Sequence, residues 1–434
     1  MYRSSKEHFG RRSWLVVLPL IGLLAFAGCS ATSNSATAPR QNASCTPAPN
    51  ANCEGVSIGG QDLTGQDLHG IDFDNAFLGG VELLTSNLTS AQFVGANGSV
   101  DFQQATLTNA NFQNATMQGS DFSSASGNSA IFSSAKLKSA LFSKTDLAGA
   151  KLDLADLSGA RLNETNLDKA ILTKTNFDHA SLAGAKSLQT AVDLGTATLT
   201  NVDWSRADMS ALDLSGLSLS GATMNAQTNV THTNLAGTDL SSANGIGLAI
   251  GLKLANLQAI NLHGVKLANA DLAAATLTNA NLSGTSLSGA TIGKADFGGA
   301  NLSNISDLGQ AKGLASAKLD KANLTGSNLD GADLSRQKMT GSTLANVSAK
   351  KIQLDGATLN GIVANSIDLS SADLSGANIT ASDLRSANLT AASLKGTDFT
   401  GSNWSGAVVD ANAFGDAVLC HTTMPDGTIN NEGC

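Results

Sequence analysis

The stretch AKLDKANLTGSNLDGADLSRQKMTG, residues 317–341, divides without remainder into five pentapeptides, AKLDK, ANLTG, SNLDG, ADLSR and QKMTG. The third position of each is a large apolar residue: Leu319, Leu324, Leu329, Leu334 and Met339. Continued in steps of five, the series gives 21 centres ending at Leu419, of which 19 are Leu, Met, Ile, Val, Phe or Trp. Two residues before each centre, 15 of the 21 positions are Ala, Ser or Thr. A pattern held over that length is a structural rule rather than a compositional accident. Where the centre shrinks, to Ala349 and Ala364, the preceding small position grows, to Val347 and Ile362. Exchange of volume between two positions is what a close-packed interior demands.

A period of five fits neither common regular structure. On an α-helix, five residues advance about 500°, so the leucines spiral and form no face. On a straight strand an odd period sends them to alternate faces. A chain that turns once per repeat resolves the conflict. The centre and the small residue two before it then point inward, the intervening Asp or Asn points out, and the last two positions turn the corner.

The A-(D/N)-L-x-x pattern, bare in ADLSGAN (372–378) and ANLTGSN (322–328), resembles the pentapeptide-repeat family over about residues 61–419. The resemblance implies an all-β fold, a right-handed four-sided β-helix with four repeats per coil. That makes about 18 coils, roughly 85 Å at ~4.8 Å per coil. The expected solenoid spans 57–419, followed by a cap over 420–434. The register slips between Phe93 and Phe102, which are nine residues apart, and near 187–199, 225–233, 243–252 and 303–317. These slips read as bulges or small loops in one continuous solenoid, or else as hinges or binding loops.

Upstream lies a different kind of sequence. Arg3, Lys6, Arg11 and Arg12 precede an apolar run from Trp14 to Ala27, too short to span a bilayer, so residues 1–29 read as an export signal. Ala27-Gly28-Cys29 resembles a bacterial lipobox, which implies a diacylglycerol-modified Cys29; Phe26 departs from the usual Leu three residues before the cysteine. Ala25-x-Ala27 also reads as an ordinary signal-peptidase site, and Arg11-Arg12 as a weak twin-arginine match. Cysteine parity favours lipidation, because modifying Cys29 leaves four of the five cysteines to pair. Residues 30–56 are small, polar and dotted with proline, the composition of a flexible tether. The expected location is a bacterial membrane, facing the periplasm or the exterior.

Four remaining cysteines allow three pairings. Cys45 and Cys53 bracket the start of the repeats, and Cys420 and Cys434 flank the turn signal Met424-Pro-Asp-Gly-Thr428. The coil length implied by the resemblance holds the two ends too far apart for cross-end bonds, whose Cα atoms must lie within ~7 Å. The expected bonds are therefore Cys45–Cys53 and Cys420–Cys434.

Catalytic signatures are missing from the sequence. The six histidines lack metal-ligand spacing, and Gly289-Ala-Thr-Ile-Gly-Lys294 is one residue short of a phosphate loop. No cofactor, small-molecule substrate or nucleic acid is expected. Charge is more informative. Without the signal the net charge is −12, and no Lys or Arg occurs between Arg40 and Lys136. In that interval Asp62, Glu82, Asp101 and Asp121 each precede a centre at one-coil spacing, which places them on one outer column. Such a row splays into water, holds protons to higher pH, or binds a hard cation such as Ca²⁺. The sequence is compatible with three function classes to different degrees. The leading one is a non-enzymatic, membrane-anchored scaffold for an unknown protein partner. The second is an acidic mimic of DNA that occupies a nucleic-acid enzyme, with a cation-binding surface protein as a further alternative. The third, a β-helical polysaccharide enzyme, needs long loops that a five-residue repeat does not provide.

Overall fold

The computed structural model describes residues 45–411 and 413–434. The signal segment, Cys29 and the first part of the tether lie outside the described residues. Within this unit the pentapeptide is the structural unit throughout. Its local logic is visible around Leu63. The Leu63 amide donates to the Glu82 carbonyl at 2.8 Å, the Gly65 amide to Leu84 at 2.8 Å, and the Glu82 amide returns to Gln61 at 2.9 Å. The Gln66 amide closes the corner onto the Leu63 carbonyl at 3.3 Å. Each repeat thus satisfies its backbone partly within its own turn and partly on the next coil, the accounting that a buried backbone requires.

The inter-coil bonds are parallel. Asn52, Ser57, Asp62 and Asp67 pair in turn with Asp72, Phe77, Glu82 and Asn87. Partners are therefore 20 residues apart, and four pairing columns fill that interval. Pairing begins at Asn52, and Cys53 and Val56 are already buried. Residues 52–56 thus belong to the solenoid rather than to the tether to which composition assigned them. At the other end, Val409 and Phe414 continue the period in sequence but are only half-buried, while pairing resumes at Val418 and Thr423. A short hairpin follows, in which β1 (Thr422–Thr423) pairs antiparallel with β2 (Ile429–Asn430).

The core is a single column of apolar side chains. Leu329 and its neighbouring centres are fully buried, and so are the compensating pairs Val347/Ala349 and Ile362/Ala364. The first third carries an aromatic stack. Phe93, Phe112 and Phe132 lie face to face at 4.6 and 4.8 Å, as do Phe102, Phe122 and Phe142 at 4.8 and 4.6 Å. The two stacks meet edge to face at 5.5–5.8 Å. Such pairs contribute about 0.5–1.5 kcal/mol each beyond their burial.

Every slip is crossed by some pairing columns, while others, such as those through Lys186, Val192 and Thr198, have no bridge to the following coil. The nine-residue step is taken at Gly98, whose φ is 135° and whose Cβ, if present, would lie 2.4 Å from the Gly79 nitrogen, so only glycine fits. Insertions near 190 and 310 are 3₁₀ turns, Leu188–Thr190, Leu194–Thr196, Leu308–Gln310 and Leu314–Ser316. The spacing widens to 22 at Asn176–Thr198 and returns to 20 at Asp203–Thr223. The turn Ile246–Leu248 does the same, giving 22 at Asn234–Asn256. Extra residues are absorbed at corners, and each turn buries its first residue against the core.

Candidate functional site: the outward columns and the hairpin end

The residue before each centre faces out and is held there. Where it is Asp or Asn, its side-chain Oδ1 accepts from the amide two residues on, as in Thr64 to Asp62 (3.0 Å) and Ser123 to Asp121 (2.8 Å). This Asx turn explains the preference for Asp and Asn at that position. Where Asn follows Asp one coil later, a second bond usually forms; Asp383, engaged by Arg385, is an exception. Asn87 Nδ2 donates to Asp67 Oδ1, Asn166 to Asp146, and Asn388 to Asp368, at 2.8–3.1 Å. The small inward position also carries a device that the sequence reading missed. In several repeats where it is Ser or Thr rather than Ala, the buried hydroxyl donates to the carbonyl of a centre on the preceding coil: Ser86 to Leu63, Thr145 to Phe122, Thr165 to Phe142. The signal was present as Ser/Thr in an inward column, but its partner was visible only in the coil.

The four acids of the first column are brought together. Asp62 pairs with Glu82, Glu82 with Asp101, and Asp101 with Asp121, after which Leu141 takes the column. The Thr64 side chain and amide hold the Asp62 carboxyl below its ordinary range. Asp101 and Asp121 likewise accept the amides of Gln103 and Ser123, and Gln103 Nε2 reaches Asp121 Oδ2 at 2.9 Å. A second acidic group emerged only in the structure. Burial pushes the Asp74 carboxyl up, opposed by the Val94 amide and reinforced by the charges of Asp72 and Glu54.

The described histidines sit on corners. His69 Nδ1 meets Asp67 at 2.9 Å, His179 Nδ1 meets Asp178 at 2.9 Å, and His263 Nδ1 meets the Ser283 hydroxyl at 2.8 Å. Gly289 and Lys294 of the phosphate-loop-like string are corner residues with φ of 68° and 61°, and the Lys294 amide donates to Ser316. Cys45 and Cys53 have Cα atoms 5.4 Å apart, and Cys420 and Cys434 have them 4.8 Å apart. His421 Nδ1 lies 3.1 Å from Cys420 Sγ, the one group of three metal-ligand side chains among the described residues. Cys420 and Cys434 are joined as a disulfide, which leaves no thiolate to ligate a metal.

The hairpin end holds an open groove of about 770 Å³. Its floor is Val409, Phe414, Met424 and Ile429, and its rim carries Asp410, Asp426 and Glu432. Phe414 stands edge-on to Phe399 and Trp404 at 6.1 Å, which ties the floor to the end of the core.

Comparison with known proteins accords with this architecture. The family model described as "Pentapeptide repeats (8 copies)" matches residues 67–97, 99–123, 130–167, 150–186, 190–225, 255–292, 266–304, 317–361, 350–385 and 367–406. No curated protein matches the chain. Among solved structures, a pentapeptide repeat protein of the Arabidopsis thaliana thylakoid lumen is 30% identical, with a TM-score of 0.18. That match covers 22% of this chain and 61% of that one. HetL of the cyanobacterium Nostoc sp. strain PCC 7120, involved in heterocyst differentiation regulation, is 20% identical over 87% of this chain and 92% of that one, with a TM-score of 0.13. QnrB1, a plasmid-mediated fluoroquinolone resistance protein, is 16% identical over 47% and 92%, with a TM-score of 0.21. The assignment rests on the repeat matches, which cover more than half of the sequence. The chain belongs to the pentapeptide-repeat family, and its coil is a right-handed β-helix.

Proposed function

We propose that this protein is a non-enzymatic interaction scaffold, exported and held at a membrane by lipid on Cys29. Its four-sided coil of about 18 turns is the surface on which a protein partner docks. The observation that carries this reading is the fixed presentation of the outward columns. Many Asp and Asn side chains are tied to their own turn and to the preceding coil, as in Asn166, which accepts the Asp168 amide and donates to Asp146, so much of the surface is ordered before any partner arrives. Preorganised surface lowers the entropic cost of association. Disulfides Cys45–Cys53 and Cys420–Cys434 fasten the two ends of the ladder in this reading, consistent with an oxidising compartment. Export also separates the protein from cytosolic nucleic-acid enzymes, which weighs against mimicry of DNA.

The anchoring test is fractionation of wild type and Cys29→Ser. The wild type should partition with membranes, and the variant should move to the soluble fraction with its processing blocked. Unchanged membrane partitioning of the variant would remove the lipid anchor from the proposal.

A further inference from the structure

We propose that the groove at the hairpin end docks an extended, basic and amphipathic protein segment. Its apolar side chains would fill the floor, and its Lys or Arg side chains would pair with the rim. The proposal deepens the scaffold reading and rests on it for the existence of a partner, while naming where and by what chemistry that partner binds.

Three observations converge. The first is apolar exposure. Ile429 is 66% exposed and Val408 beside the groove 58% exposed, on a surface whose other outward positions are mostly polar. Phe414 and Met424 are half-buried and pack against the core from one side only. The second is charge. From Gly396 to Cys434 there is no Lys or Arg, against Asp398, Asp410, Asp416, Asp426 and Glu432. Elsewhere on the solenoid Asp296, Asp320, Asp368 and Asp383 have Lys or Arg partners at 2.7–3.6 Å. None of the ion pairs among the described residues involves the three rim acids. The third is unused acceptor capacity. Asp410 spends Oδ2 on the Ala391 amide and Asp426 spends Oδ1 on Thr428, which leaves one oxygen each. The Glu432 carboxylate has no hydrogen-bond partner among the described residues, since only its backbone is engaged.

These features select the occupant. A second copy docked through the same end would set acid against acid, with no cation in 396–434 to relieve it. A purely apolar ligand would leave the rim unpaired. A segment alternating Lys or Arg with apolar residues matches both parts, and in extended form it presents them on opposite faces at a period of two.

The test uses the protein with Cys29→Ser, so that anchoring and docking are read separately. It is titrated with the octapeptide (Lys-Leu)₄ while the methyl signals of Met424 and Ile429 are followed by NMR. Saturable shifts are expected, absent with (Glu-Leu)₄ and weak with (Lys-Ser)₄. Affinity should fall roughly tenfold in Glu432→Lys, the loss of about one charge pair and gain of a repulsion, and comparably in Ile429→Asn. Both sites are exposed, and an unchanged melting temperature verifies folding; if Ile429→Asn unfolds the hairpin, Glu432→Lys decides. Equal binding of (Glu-Leu)₄, no saturable shift in the parent protein, or a dimer that Ile429→Asn dissolves would overturn the proposal. Membrane partitioning through Cys29 is unaffected by any of these results.

Discussion

Asn281 donates from Nδ2 to Oδ1 of Asn261 at 3.0 Å and accepts from Asn301 Nδ2 at 3.2 Å. Asn323 extends the series at one end, and Asp239 closes it at the other by accepting from Asn261 at 2.9 Å. Every amide in this ladder donates toward the preceding coil, and the terminus that receives a donor without returning one is a carboxylate. The same polarity holds in Asn87 to Asp67 and Asn234 to Asp213. An Asp one coil before an Asn is therefore a directional match, and reversing the order would place two acceptors in opposition.

The ladder gives the first prediction. Asn281→Asp removes the donor to Asn261 but keeps the acceptor for Asn301. Stability should fall by about 1 kcal/mol at neutral pH. Protonating the new carboxyl restores a donor, so the loss should shrink as pH falls. Chemical denaturation at two pH values measures this, and equal losses at both would show that the Asn281 amide contributes nothing.

Core and surface should respond in opposite ways within two neighbouring residues. Leu329 is fully buried, and Leu329→Asp should cost several kcal/mol by burying an unpaired charge. Coils touch only their neighbours, so hydrogen exchange should rise locally rather than along the whole solenoid. The adjacent Asn328→Asp retains the oxygen that accepts the Asp330 amide at 2.8 Å and should change stability by less than about 0.5 kcal/mol.

The two buried tryptophans should differ. Trp404 Nε1 donates to the Ser402 hydroxyl at 3.0 Å, whereas the equally buried Trp204 Nε1 has no partner among the described residues. Trp404→Phe loses packing and a hydrogen bond; Trp204→Phe loses packing but relieves an unpaired donor. The first should cost more by about 1 kcal/mol, measured as a difference in unfolding free energy.

Stability should be flat near neutral pH and decline in acid. Asp62, Asp67, Asp178, Asp213, Asp333, Asp373 and Asp383 are all held below the ordinary carboxyl value of 3.8, chiefly by hydrogen bonds from residues in their own or adjacent turns. A carboxyl with a depressed folded-state pKa contributes stability above its unfolded value and loses it as pH falls through the folded one. The decline should therefore begin near 3.8 and proceed downward. Asp74, whose carboxyl is raised, works in the opposite sense and only softens the onset. A melting temperature that fell already between pH 7 and 5 would contradict this account.

Calcium should leave the acidic row unchanged. Asp62, Asp101 and Asp121 each already accept a backbone amide two residues on. Calorimetric titration should give no binding heat, and the melting temperature should not rise. Saturable heat that disappears in Glu82→Gln/Asp101→Asn would instead make the row a cation site.

The sequence by itself determined which residues face in, which face out, and that the chain turns every five residues. A period of five satisfies no straight element, and the exchange of volume at Val347/Ala349 and Ile362/Ala364 allows only a packed interior. With the four-repeat coil that the family resemblance implies, it also indicated that Asp62, Glu82, Asp101 and Asp121 would share a column. The tertiary structure alone decided what those columns do. How each carboxylate of the row is held depends on the amide two residues on, and whether an Asn donates up or down depends on its neighbour one coil away. It decided too that Asn52 opens the ladder, since pairing needs a partner 20 residues on rather than a composition. The groove over Phe414 and Ile429 was illegible for the same reason. Its floor and rim come from two segments that break the period, and only the fold of the hairpin onto the last coil sets them side by side.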